Sequence, residues 1–191
     1  QIDNTGKLTL INPVDAGTYY VVVRATDASG VYKEVTVILT RVPVSITVTA
    51  EAKTKVYGTV DPALTYTVTP SSSGATFTGA LSRAAGSTVG TYAISQGTLS
   101  AGVNYTITYV GANFTITAKE LTLAGASLNK VYDGTTAMPS GQNGYGSLTG
   151  IVSGDNVAVA GAPVYAQATV GTGIAIQQGT VTLGGTSATN Y

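Results

Sequence analysis

Two lysine and tyrosine pairs carry most of the chemistry this sequence could do: Lys55 and Tyr57 in Lys55-Val56-Tyr57-Gly58, and Lys130 and Tyr132 in Lys130-Val131-Tyr132-Asp133-Gly134. Amines at matching places invite an intramolecular isopeptide bond to an asparagine or aspartate on a neighbouring strand, and Asn104 and Asn190 are repeated candidates for the acceptor. That bond also wants a buried acid to handle the proton. The plainer reading is a structural lysine whose stem lies over a tyrosine ring. The acids offer less. They stand at positions 3, 15, 27, 34, 51, 61, 120, 133 and 155, with no suggestive pair of the kind that glycoside hydrolysis needs. With no His and no Cys in 191 residues, there is no imidazole base, no thiolate nucleophile and no soft metal site. The chain is not expected to be an enzyme.

Asp133 beside Gly134 and Asp155 beside Asn156 could ligate calcium through carboxylate and amide oxygens. The Asp-x-Asp-x-Asp-Gly spacing of a calcium loop is absent, and isolated Asp-Gly is above all a turn pair. No cofactor is therefore expected, calcium being the one ion weighed. Twelve tyrosines and no Trp raise the question of a sugar-stacking platform, because aromatic faces cover pyranose rings. Tyr66, Tyr105 and Tyr109 fall on the apolar side of their segments and read as core. Tyr20 and Tyr32 are the candidates for exposed ligand contact, with glycans as the ligand class.

Composition narrows the partners further. Nine basic residues balance nine acidic ones, charged residues make up 9% of the chain, and no basic cluster exists to meet a polyanion. Nucleic acid is not an expected partner. Nor is membrane insertion, since no stretch approaches the roughly 20 apolar residues of a spanning helix. No charged and apolar leader opens the segment at Gln1, so any secretion signal is expected outside it or removed. Low charge with 32 Thr and 24 Gly suggests an extracellular or bacterial cell-surface setting.

The elements that must position these residues are strands. Val44, Ile46 and Val48 alternate with Ser45, Thr47 and Thr49; Leu64, Tyr66 and Val68 alternate with threonines; so do Tyr105, Ile107 and Tyr109. A period of two with one apolar face predicts half-buried strands, expected here to pair antiparallel, with Thr adding β-propensity on the outer face. Strand-like runs also cover Lys7 to Ile11, Thr18 to Thr26 and Val31 to Thr40, separated by turn formers such as Asp27-Ala28-Ser29-Gly30. The expected class is all-β, in tandem small immunoglobulin-like sandwiches arranged as beads on a string.

Three features recur in one order. The tyrosines Tyr57 and Tyr132 lie 75 residues apart, Val89-Gly90-Thr91 returns 81 residues later as Val170-Gly171-Thr172, and Asn104-Tyr105 returns 86 residues later as Asn190-Tyr191. The growing offset reads as loop insertions, one of them in Pro139 to Gly150. Modules are accordingly expected at 43–118 and 119–191, the second without its final hairpin, preceded by residues 1–42 as the closing part of an earlier module. Each is expected to bury its own small core.

Asp15-Ala16-Gly17-Thr18-Tyr19 resembles the approach to strand F of immunoglobulin-like domains, where a tyrosine corner forms, and Val21 stands where antibody domains carry Cys. Tyr92 is expected to play the part of Tyr19 in the middle module, while Gly173 takes that place in the last. Residues 43–118, through Lys55, Tyr57 and Gly58, resemble the MBG domain. Residues 119–191, through Lys130-Val131-Tyr132-Asp133-Gly134-Thr135-Thr136, resemble the YDG domain. Both are repeat modules of large bacterial adhesins and filamentous-haemagglutinin-like surface proteins. The resemblance implies a spacer or stalk segment whose partners are flanking modules of the same polypeptide or neighbouring identical chains. Two other functions compete: a filament subunit completed by strand exchange between chains, and a carbohydrate-binding module.

Overall fold

The structure is a computed structural model that describes residues 15–71, 73–125, 128–139 and 145–191. The expected strand Lys7–Ile11 lies outside the described residues, as does part of the expected insertion after Pro139. The described chain is all-β, and its one helical turn is a 3-10 turn at Ala188–Asn190.

The first two strands, β1 (Gly17–Thr26) and β2 (Tyr32–Arg41), form an antiparallel hairpin in unbroken register from Gly17 opposite Arg41 to Thr26 opposite Tyr32. Its turn is built by Asp27, whose carboxylate accepts the Ser29 and Val31 amides at 2.9 Å each. A short polar side chain thus supplies the acceptor that the turning backbone lacks. Tyr19, Val21 and Val23 are half-buried on one face, and Tyr20 and Val22 stand exposed on the other.

The next repeat has two sheets. In the first, β3 (Val44–Ala50) lies between β5 (Tyr66–Thr69) and β8 (Tyr105–Val110). In the second the order is β4 (Lys53–Val56), β9 (Ala112–Thr117), β7 (Gly90–Ser95) and β6 (Ser82–Arg83). One expectation fails here: β3 and β8 run parallel, with Val44 opposite Tyr105 and Thr49 opposite Val110. Alternation of side chains is the same in both kinds of pairing, so the pattern carries no information about direction. The long excursion between them, taken up by four other strands, lets the chain re-enter with the same polarity.

The core follows from the alternation. Ile46 and Val48 from β3 and Phe114 from β9 are fully buried, with Ile94 of β7, Leu99 and Ala101 close behind. The Arg83 guanidinium sits 4.8 Å above the Phe114 ring and 5.4 Å from that of Tyr92, closing the apolar layer with a cation on aromatic faces. Tyr105 and Tyr109 are half-buried and turn their hydroxyls to backbone carbonyls, Tyr105 to Ser73 at 2.9 Å and Tyr109 to Ile94 at 3.0 Å.

The last repeat pairs β10 (Thr122–Gly125) with β11 (Tyr145–Thr149), β12 (Ala158–Ala160) with β15 (Thr182–Gly184), and β13 (Val164–Tyr165) with β14 (Ile176–Gln177), all antiparallel. It reproduces one turn of the middle repeat bond for bond. Thr98 N–H donates to the Ala80 carbonyl and its hydroxyl oxygen accepts from Ala80 N–H, at 3.0 and 3.1 Å. Thr180 does the same with Ala162 at the same two distances. In both turns a left-handed glycine, Gly79 at φ +75° and Gly161 at φ +83°, faces a carbonyl that a Cβ would approach to 2.1 Å.

Clustering by proximity divides the chain into two compact units. Of the described residues, those within 1–53, 63–84 and 92–114 form one, and those within 54–62, 85–91 and 115–191 form the other. Short segments of the middle repeat therefore belong to the same compact unit as the last one.

Candidate functional site

The two lysines are held by their own turns. Lys55 Nζ lies 2.7 Å from the Asp61 carboxylate and donates to the Thr59 carbonyl at 2.8 Å. Lys130 Nζ lies 2.7 Å from Asp133 and donates to the carbonyls of Thr135 and Ala137 at 2.8 Å each. Each ammonium spends its donors on groups within seven residues, so the repeated lysine staples a turn. The ring near Lys130 is that of Tyr165, at 5.9 Å, not that of Tyr132. Lys130 and the Thr135 amide hold the Asp133 carboxyl down to about 2, because both favour its charged form. That carboxylate accepts the Thr135 amide at 2.9 Å, which makes an Asx turn at the Asp-Gly step, and it accepts the Thr135 hydroxyl at 2.9 Å as well. Among the described residues no three acids gather as metal ligands would.

The repeated asparagines do something different from the lysines. Asn104 Oδ1 accepts the Ala16 amide at 2.7 Å, Asn104 Nδ2 donates to the Asp15 carboxylate at 2.7 Å, and Asn104 O accepts the Val44 amide at 2.9 Å. Asp15 in turn offers its carbonyl to the Tyr19 hydroxyl at 2.7 Å, across Gly17. One repeat later, Asn190 Oδ1 accepts the Val89 amide at 3.0 Å and Asn190 O accepts the Lys119 amide at 3.0 Å. Ala16 and Val89 are each the residue before Gly-Thr-Tyr. In both places, therefore, an asparagine of one repeat ties down the strand entry of the repeat before it with its side chain, and fixes its own repeat's start with its backbone. Asn190 is 5% exposed, the one buried polar residue among the described ones. A buried amide with its carbonyl satisfied in this way positions backbone firmly.

Around Asn190 the contact is wider. Tyr57 and Tyr191 meet edge to face with ring centres 5.5 Å apart. Tyr57 donates its hydroxyl to one oxygen of Asp155 at 3.1 Å, and Tyr191 donates its hydroxyl to the other. The Val152 amide donates to the Tyr191 hydroxyl at 2.9 Å. Accepting Asp155 as a hydrogen-bond partner raises the Tyr57 pKa, and burial foremost raises that of Tyr191. Both phenols are thereby kept neutral donors. Gly58, at φ +79°, brings the backbone so near that a Cβ would stand 2.5 Å from Val152 Cγ2. One carboxylate shared by two phenols, with an amide on one of the hydroxyls, acts as a lock.

Several of the residues singled out in the sequence stay apart. Tyr132 is 65% exposed, and Gly134 at φ +77° has nothing within 4 Å of where its Cβ would be. Tyr20 and Tyr32 are 71% and 54% exposed and share one face of the hairpin, where Arg24 lies 4.2 Å over the Tyr32 ring. Tyr32 pairs opposite Thr26, six positions along from Tyr20, so the two rings are roughly 20 Å apart. They do not form one platform. Sequence reading missed Asp155 as the shared acceptor and Val152 as the neighbour of Gly58. The repeat of Asn-Tyr was the only available signal for either.

Residues 46–115 match the MBG domain of YGX type, and residues 117–191 match the YDG domain. No curated protein and no solved structure matches the chain. Together these two matches cover about three quarters of the chain, which thus carries one MBG domain followed by one YDG domain.

Proposed function

We propose that this chain is a structural repeat segment of an extended bacterial cell-surface or secreted adhesin, acting as a spacer. Its task is geometric: immunoglobulin-like modules follow one another, and each junction restricts the angle to the next. The observation that carries this is the asparagine clasp, which recurs at Asn104 and Asn190 with the same bonds to the side-chain carbonyl and the backbone carbonyl. A flexible string of independent beads has no need to spend a buried amide on its neighbour. Pro43, with its fixed φ, stiffens the approach to the Asn104 junction. The two domain families, the low charge and the absence of a histidine or thiol fit a role without chemistry, outside the cell. Small-angle scattering tests it. A spacer gives an elongated particle whose maximum dimension is unaffected by concentration. A particle that collapses to a sphere of the same mass would remove the reading, and ordered growth with concentration would favour filament assembly by strand exchange.

A further inference from the structure

The face of the middle repeat that receives the last repeat is made of Tyr57, Gly58 and Val89, and the last repeat carries the same face unoccupied. The counterparts are Tyr132, Gly134 and Val170. Exposure separates the two sets at every place. Val56 and Val89 are 43% and 36% exposed, while Val131 and Val170 are 89% and 82% exposed. Tyr57 is half-buried against Tyr191, while Tyr132 is 65% exposed. Gly58 is pressed on Val152, while Gly134 meets nothing. No described side chain takes the Val170 amide, although Ala16 and Val89 each have an asparagine there. Between Lys130, Tyr132, Tyr165 and Val170 runs an open groove of about 500 Å³.

We propose that the Tyr132, Gly134 and Val170 face is a docking surface for one more repeat of this fold in the same polypeptide. The docked repeat presents an asparagine carbonyl to the Val170 amide and a carboxylate to the Tyr132 hydroxyl. The occupant's chemistry is read from the one the chain already shows, in which Asn190, Asp155, Tyr191 and Val152 fill the equivalent face. This rests on the spacer reading and adds the rule by which repeats are joined: Asn-Tyr of one repeat seats on the Lys-x-Tyr-(Asp)-Gly and Val-Gly-Thr ends of the repeat before it. Tyr132 and Val131 are large apolar groups whose exposure is otherwise costly. The staple of Lys130 on Asp133 keeps the turn in shape before anything docks.

The test lengthens the chain after Tyr191 by a copy of residues 106–191, so that a second Asn-Tyr repeat follows as the YDG domain follows the MBG domain. Amide hydrogen exchange is then read at Val170. It is expected to slow about tenfold or more, as for an amide that gains a native hydrogen bond. Tyr132→Ala is expected to reverse that slowing in the lengthened chain and to leave the 191-residue chain unchanged. Equal Val170 rates in both chains, with the copied Ala166 amide protected and so the added repeat folded, would overturn the proposal. Protection of Val170 that rises with concentration in the 191-residue chain would assign the face to a second copy and overturn it as well. In the unlengthened chain, Asn190→Ala must bring the Val89 amide to the fast rate of Val170; an unchanged Val89 rate would refute the joining rule. Failure of the spacer reading shows separately, as a maximum dimension that does not grow on lengthening.

Discussion

Gly58→Ala and Gly134→Ala make a matched pair that measures the junction directly. Gly58 follows its tyrosine directly and Gly134 follows Tyr132 after Asp133, but both take nearly the same left-handed φ, +79° and +77°, so the backbone strain imposed by a Cβ is nearly the same for both, about 1–2 kcal/mol. They differ in surroundings. At Gly134 an added Cβ meets nothing within 4 Å, whereas at Gly58 it falls 2.5 Å from Val152 Cγ2. Val152 is β-branched and has few rotamers into which to retreat, so overpacking adds about 1–3 kcal/mol at Gly58 alone. Gly134→Ala should therefore cost about 1–2 kcal/mol and Gly58→Ala about 2–5 kcal/mol. Urea unfolding followed by tyrosine fluorescence, with amide exchange at Val89 as the local probe, checks both. The Val89 amide should exchange faster in Gly58→Ala and at its original rate in Gly134→Ala. Equal losses of stability, with Val89 unmoved in both, would refute the reasoning, because the Val152 contact would then carry no energy.

Other outcomes follow from the same geometry. Phe114→Ala, a full side chain removed from a fully buried site beneath Arg83, should cost about 3–5 kcal/mol in denaturant melts. Asn104→Ala removes the acceptor of the Ala16 amide and the donor to Asp15, and should cost about 1–3 kcal/mol while raising exchange at Ala16. The Tyr57 and Tyr191 pKa values are raised in the fold, so their contribution is fully present below pH about 10 and is lost as pH rises through the folded values. Tyrosinate absorbance should therefore lag for these two rings, and Asp155→Asn should shorten the lag for Tyr57, leaving the part that burial supplies. The Asp133 carboxyl is held at about 2, so its turn should keep its amide protection at Thr135 on acidification past the ordinary carboxylate range and lose it only as pH falls toward 2. A loss already near pH 4 would contradict the ion pair with Lys130.

The alternation of Val44, Ile46 and Val48 and of Tyr105, Ile107 and Tyr109 was enough to place strands and to say which face of each turns inward, because pleating puts successive residues on opposite faces whatever their partners. How deep each residue goes was decided by the fold, which buries Ile46 and Val48 fully and leaves Val44 51% exposed. Repeats of Lys-Val-Tyr, Gly-Thr and Asn-Tyr were enough to reveal two related modules. For the same reason nothing in that pattern could say that β3 and β8 run parallel, since direction belongs to the connection and not to the strand. The lysines, conspicuous in the sequence, proved local: an ammonium on a four-carbon stem reaches carbonyls of its own turn. The asparagines, less conspicuous, span 88 and 101 residues to reach Ala16 and Val89. Local periodicity and turn chemistry act over a few residues and are written in them. A hydrogen bond that joins one repeat to the next depends on where two distant backbones arrive together, and only the folded chain determines that.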